Sequence, residues 1–275
     1  MMRRAALAGI LLALWSGMAE ARARRIVSLN LCLDQMVLLL ADPEDIAGLS
    51  PLARDCSEAV LCERARGVPV MRPSAEAIVA RRPDIVLAGS YTALMAVHAA
   101  EQVGVRVLRL PPVETLEMFP QQVREVARAL GREDRAGAVI AAWERGLAAF
   151  PPVTRPRFSA LIYEAHGYAT QAGSLPDALL RRAGFTNAAA GPGGRADGVW
   201  TLERLLAHKP DLLVLDRDAA GVSLAQAMLD NPILLANFPP PHRIDIPGRL
   251  WICPLPQTLD VLRRLAAARA ALEGK

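Results

Sequence analysis

At 275 residues, with 52% hydrophobic and 22% charged residues, the chain can fill two medium domains and must bury a core, which excludes a disordered or fibrous chain. The formal charge of +4 sits partly at the N-terminus. Residues 1–23 hold three arginines and one glutamate, so the remainder carries +2, too little to argue for a nucleic-acid partner.

Those first 23 residues read as a secretory signal. Arg3 and Arg4 supply the positive start, and Ala5 to Trp15 is the apolar run. Both Ala19-Glu20-Ala21 and Ala21-Arg22-Ala23 fit the small-x-small cleavage pattern. The run is shorter than the roughly 20 residues that span a bilayer, and no cysteine follows it to carry a lipid. The expectation is export to an oxidising compartment, which bears on the four cysteines. Cys56 and Cys62, six positions apart in a polar stretch, are read as closing a small loop. Cys32 and Cys253 could pair, stay free or face a ligand. No Cys/His spacing suggests structural zinc.

RIVSLN at 25–30 predicts a first strand, Asp34 precedes a helix that Asp42-Pro43 breaks, and Ile46 to Leu49 predicts a short strand. A block then occurs twice: EAIVARRPDIVL at 76–87 and ERLLAHKPDLLVL at 203–215. In each, a glutamate opens a short apolar helix, Pro-Asp ends it, and an apolar strand follows. Helix followed closely by a buried strand implies a parallel sheet with helices on its faces. The echo extends upstream. FSALIY at 158–163 matches the first strand, and Asp177 matches Asp34. Asp34 to Glu76 is 42 positions and Asp177 to Glu203 is 26, so the first copy carries 16 extra residues around Cys56 and Cys62. Between the copies, Gln121 to Leu130 predicts a helix ended by Gly131. Asp134 to Phe150 predicts a second, with Ala136, Val139, Ile140, Trp143 and Leu147 on one stripe before Pro151-Pro152. The organisation is a signal at 1–23, an N-terminal lobe at 24–130, a linking helix at 131–152 and a C-terminal lobe at 153–275. A helix joining the lobes implies limited hinge motion.

The chain resembles the periplasmic binding proteins of ABC importers for ferric siderophores, haem and vitamin B12, also called helical-backbone metal receptors. RIVSLN, AEAIVARRPDIVLAG, GVRVL at 104–108, GSLPDALLRRAGFTNAA from Gly173, VWTLERLLAHKPDLLVLD at 199–216, NPILLANFP and LWICPLPQTLDVLRRLA carry the resemblance, in order. It implies two Rossmann-like α/β lobes with parallel sheets, joined by a long backbone helix, with the ligand cleft between them. It implies a monomeric, non-enzymatic carrier without a resident cofactor or metal, working with an inner-membrane permease dimer and its ATPase. It also implies that Glu76 and Glu203, one per lobe, dock on permease arginines. A carboxylate in the first turn of a helix is favoured by the helix dipole.

The ligand is expected at the carboxyl ends of the strands. Loops 30–32, 90–92, 164–168, 198–200 and 249–253 are therefore the candidates. In a chain only 4% aromatic, Tyr91, Tyr168, Trp200 and Trp251 fall in or beside them, and flat rings suit a macrocycle or organic chelate. Asn30 and Cys32 join this set. His166 could ligate haem iron or cobalt, or simply form hydrogen bonds. Arg72 and Arg195 could meet ligand carboxylates or remain solvated. A Cys32–Cys253 bond would clamp the cleft. Two rival readings stand beside this one. An exported α/β hydrolase lacks a G-x-S-x-G elbow, and a receptor for a bare transition-metal ion would need more than one histidine in the loops. The residues do not choose among siderophore, haem and corrinoid.

Overall fold

The computed structural model describes residues 22–190, 198–217 and 227–274. Its two lobes repeat one topology. In the first, β1 (Ile26–Ser28), β2 (Ile46–Gly48), β3 (Ile85–Gly89) and β4 (Val107–Leu110) form a parallel sheet in the order β2-β1-β3-β4. In the second, β5 (Phe158–Tyr163), β6 (Phe185–Asn187), β7 (Leu212–Asp216) and β8 (Arg243–Ile246) follow the order β6-β5-β7-β8, again parallel. The two repeated blocks supply the third strand of each sheet, which lies beside the first strand. The continuous apolar runs IVLA and LLVL are fully buried, as a sheet covered on both faces requires.

The Pro-Asp pairs do more than end a helix. Asp84 accepts from the backbone N–H groups of Arg24 and Arg25 at 2.8 and 3.0 Å, just before β1. Asp211 accepts from the N–H and hydroxyl of Ser159 at 2.7 and 2.8 Å, in β5. Each aspartate therefore ties the third strand to the first and fixes the start of their register, a role beyond that of a turn former.

The first helix, α1 (Leu31–Leu40), starts a turn earlier than the sequence predicts. The strand ends at Ser28, and Asn30 becomes the N-cap, its side-chain oxygen accepting from the N–H groups of Cys32 and Leu33. Beyond the short α2 (Cys62–Ala65), α3 (Ala75–Ala80) and α4 (Leu94–Gln102) flank the first sheet. Next, α5 (Met118–Leu130) ends at Gly131, whose φ of +64° is the left-handed turn that glycine accepts without strain. The linking helix α6 (Glu133–Ala148) follows at once. The Phe119 and Trp143 rings meet at a tilt of 53° with centroids 4.6 Å apart between these two helices, within a core that continues into both lobes.

Both ends of α6 are pinned. Arg132, just before it, is 2% exposed and pairs with buried Asp45, and Arg135 pairs with Asp42. At the other end Arg182, in α7 (Leu175–Arg182), donates to the carbonyls of Leu147 and Phe150. The linker is thus bolted to the first lobe by ion pairs and to the second by a capping arginine.

The segment read as a signal lies outside the described residues except for Arg22 and Ala23. These two are built into the N-terminal lobe. Arg22 pairs with Asp42 and Asp45, and Ala23 is 5% exposed and donates its N–H to the Leu130 carbonyl at 3.1 Å. No helix of the described residues is long and apolar enough to cross a membrane.

Candidate functional site

The carboxyl ends of both sheets face a cleft. Its inner part, a cavity of about 190 Å³, is lined from the first lobe by Asn30, Ser90, Tyr91, Thr92 and Gln122, with Ile252 reaching in from the second. Its outer part, about 520 Å³, is built from both lobes: Glu114 on one side, Glu164, Gln171, Ser174 and Asp216 on the other, and Trp251 at the base. Pro112, Val113 and Ile252 line both parts, which therefore adjoin.

Local structure holds the inner part. Asn30, while capping α1, donates through Nδ2 to the Thr92 hydroxyl at 3.3 Å. Gly89 sits beneath this contact at the end of β3. A Cβ there would lie 2.8 Å from the Thr92 hydroxyl oxygen and 3.2 Å from Asn30 Nδ2, so only glycine leaves the contact intact. Cys32 lines the same cavity and is bonded to Cys253, 221 positions away, with Cα atoms 4.9 Å apart. This disulfide joins the first turn of α1 to the loop after β8 and ties the two lobes together at the cleft. Cys56 and Cys62 form the second, local disulfide.

Several predicted positions go elsewhere. Trp200 is 1% exposed and packs in the second lobe, with the Arg204 guanidinium 4.3 Å from its ring centroid and its carbonyl accepting from the Tyr163 hydroxyl at 2.9 Å. It presents no ring face to the cleft, because the 198–200 segment pairs with residues 167–169 instead of ending in open space. Trp251 lines the outer cleft but is only 2% exposed. Tyr91 and Tyr168 are exposed, and only Tyr91 lines a described part of the cleft. His166 is exposed with a φ of +60°, and Arg72 is exposed beside Pro73. Neither lines either part. Arg195 lies outside the described residues.

The cleft residues that the sequence did not single out are polar. Glu164 follows β5 directly, inside a predicted loop, but the aromatic residues around it are the more conspicuous candidates. Its carboxyl accepts from the Thr170 hydroxyl at 3.1 Å, and burial pushes its pKa above the ordinary carboxylate value against that hydrogen bond. Glu114 lies after β4 in a loop outside the predicted set. The apolar VRVLRL run ending in Pro-Pro was the signal available for it.

The two docking candidates are built alike. Ser74 caps α3 and Thr201 caps α8 (Leu202–Ala207), and Glu76 and Glu203 are each the second residue of their helix, exposed to solvent. Each carboxylate accepts from its own backbone N–H and from the capping hydroxyl, which lowers both pKa values below the ordinary glutamate value. A crossover helix runs antiparallel to its strands, so its N-terminus lies at the carboxyl edge of the sheet. Both glutamates therefore stand at the edge of their sheet that faces the cleft.

Residues 26–234 match the sequence profile described as periplasmic binding protein, and the chain belongs to that family. Its fold is shared with solved structures of the same kind. The periplasmic heme-binding protein RhuT from Roseiflexus sp. RS-1 is 24% identical, with 91% of this chain and 99% of that one covered at a TM-score of 0.72. An ABC-type Fe3+-hydroxamate transport protein from Saccharomonospora viridis is 24% identical over 90% and 93% of the chains, at 0.65. The periplasmic vitamin B12 binding protein BtuF of Vibrio cholerae is 14% identical over 92% and 99%, at 0.68. No curated protein matches the chain.

Proposed function

We propose that this chain is the solute-binding component of an ABC importer, which captures a metal chelate or corrinoid (a ferric siderophore, haem or cobalamin) in the interlobe cleft and delivers it to the permease of the inner membrane. The observation that carries this reading is the paired rim. Two carboxylates, held ionised by the same capping geometry on duplicated helices, stand on either side of a cleft large enough for an organic chelate. Two fixed negative charges suit docking on permease arginines, where they add steering and register more than affinity. The linking helix, pinned at both ends, and the Cys32–Cys253 bridge favour capture with little hinge closure. Titration of the exported protein with haemin, cyanocobalamin and ferric hydroxamates, followed by absorbance and tryptophan quenching, is expected to give saturable one-to-one binding to one class. Failure to bind any of them, together with hydrolytic activity, would overturn the reading in favour of an exported hydrolase.

A further inference from the structure

Resting on the binding reading above, we infer that the cleft selects a ligand without net negative charge, one that offers cationic or amide N–H groups to the carboxylates of Glu114 and Glu164, and that it rejects polyanionic chelates. The lining of both parts, among the described residues, includes Glu114, Glu164 and Asp216 and no lysine, arginine or histidine. Described cations on nearby segments have protein partners of their own. Arg109, in β4, is paired with Glu101 at 2.8 Å, Arg217 with Asp230 at 2.8 Å, and Arg249 donates to the Cys56 carbonyl at 3.3 Å.

Glu164 decides the sign. Among the described residues its carboxyl accepts from a neutral hydroxyl, and burial removes part of its hydration. A half-buried carboxylate in that state gains most from a donor supplied by the ligand, and it repels an anion more strongly than it would in open water. Haem carries propionates and a ferric triscatecholate is a trianion. Either would need guanidinium or ammonium partners on these walls. The periphery of a corrinoid carries amide N–H donors, and a linear ferric trihydroxamate with a free amine is a cation. Both present the chemistry that these walls accept, alongside the amide and hydroxyl groups of Gln122, Gln171 and Ser174. Discrimination of this kind comes mainly from the repulsive side.

The test is a four-ligand titration of the exported protein with cyanocobalamin, ferrioxamine B, haemin and ferric enterobactin. One of the first two is expected to bind at least about tenfold tighter than either anionic ligand, and which one it is separates the corrinoid from the hydroxamate source. In the Glu114→Gln/Glu164→Gln variant the affinities should move in opposite directions, down for the preferred ligand and up for the anionic pair. Tightest binding to haemin or ferric enterobactin overturns charge selection while leaving the binding reading intact, as does a uniform shift of all four in the variant. Absence of binding to all four sinks the binding reading, and this inference with it.

Discussion

The two lobes share a topology, yet one pair of equivalent residues behaves differently in them. Asp34 in α1 and Asp177 in α7 occupy matching places, and both are buried. Asp177 accepts from Asn187 and the Gly173 N–H at 3.0 Å each, and Arg181 lies 3.3 Å away. Asp34 instead has the hydroxyls of Ser28 and Ser50 and the Ser50 N–H around its oxygens, and burial pushes its pKa up to about 7 against those hydrogen bonds. Duplication preserved the position of the carboxylate and not its partners. The N-terminal lobe also carries the 16 extra residues, the local disulfide and the ion pairs that anchor the linking helix. At the linking helix, then, the N-terminal lobe supplies ion pairs and the C-terminal lobe an arginine that donates to backbone carbonyls.

The bridge between the halves is expected to have the largest effect when broken. Removing Cys32–Cys253 by paired serine substitution frees a loop of more than 200 residues and should cost about 5 kcal/mol, against about 2 kcal/mol for the short Cys56–Cys62 loop. Denaturant unfolding of the two double variants reads the contrast, and equal losses would show that the bridge does not constrain the lobes as drawn. Next comes the anchor of α6. Asp45→Ala leaves Arg132 buried without its carboxylate and should cost about 3–5 kcal/mol. Arg182→Ala, at the opposite end of the helix, removes donors to two carbonyls and should cost about 1–2 kcal/mol. If the C-terminal anchor proves the costlier loss, the contrast between the lobes fails.

Asp34 sharpens the same contrast through pH. Its folded pKa of about 7 lies above the ordinary 3.8, so the native state holds an extra proton between those values and stability falls as pH rises through that window. Asp34→Asn cannot lose a proton. Relative to the parent, it should gain on the order of 4 kcal/mol between pH 4 and pH 8, since each tenfold change in proton affinity is worth about 1.4 kcal/mol. Parallel stability curves for parent and variant would refute the assignment. Processing offers a further reading of the N-terminal lobe. Because Arg22 and Ala23 contribute an ion pair with Asp45 and a buried backbone bond, cleavage is expected after Ala21. Intact mass of the exported protein checks this, and a chain beginning at Arg24 would contradict it.

Most of the scaffold was legible because it rests on local rules. The duplicated helix–Pro-Asp–strand block announced two parallel sheets, and Gly131 and Pro151 bounded the linking helix. The cleft was legible only by position. Strand ends located it, but ring content did not say which rings were free. Trp200 vanished into the second lobe because its backbone pairs with Gly167, a contact between segments about 30 positions apart that no periodicity reports. Glu164 and Glu114 escaped the sequence for a related reason. A single carboxylate in a loop looks solvated until packing shows which wall it stands on.

The smallest effect on stability is expected at the rim, and there the symmetry of the lobes matters most. Glu76 and Glu203 are exposed, and each is held by its own N–H and one capping hydroxyl, so Glu76→Lys and Glu203→Lys should lower the unfolding midpoint only slightly, through the lost cap and the helix dipole, and leave the ligand titration unchanged. Uptake by cells carrying the cognate permease should nevertheless fall, and fall further in the double variant than in either single one. Because the two carboxylates are presented by equivalent helices, the single losses should be alike. Unequal losses would mean that the permease reads one lobe more than the other, and the duplication would then describe the fold but not the docking. A loss of ligand affinity in either variant would place that glutamate in the cleft and remove it from the rim altogether.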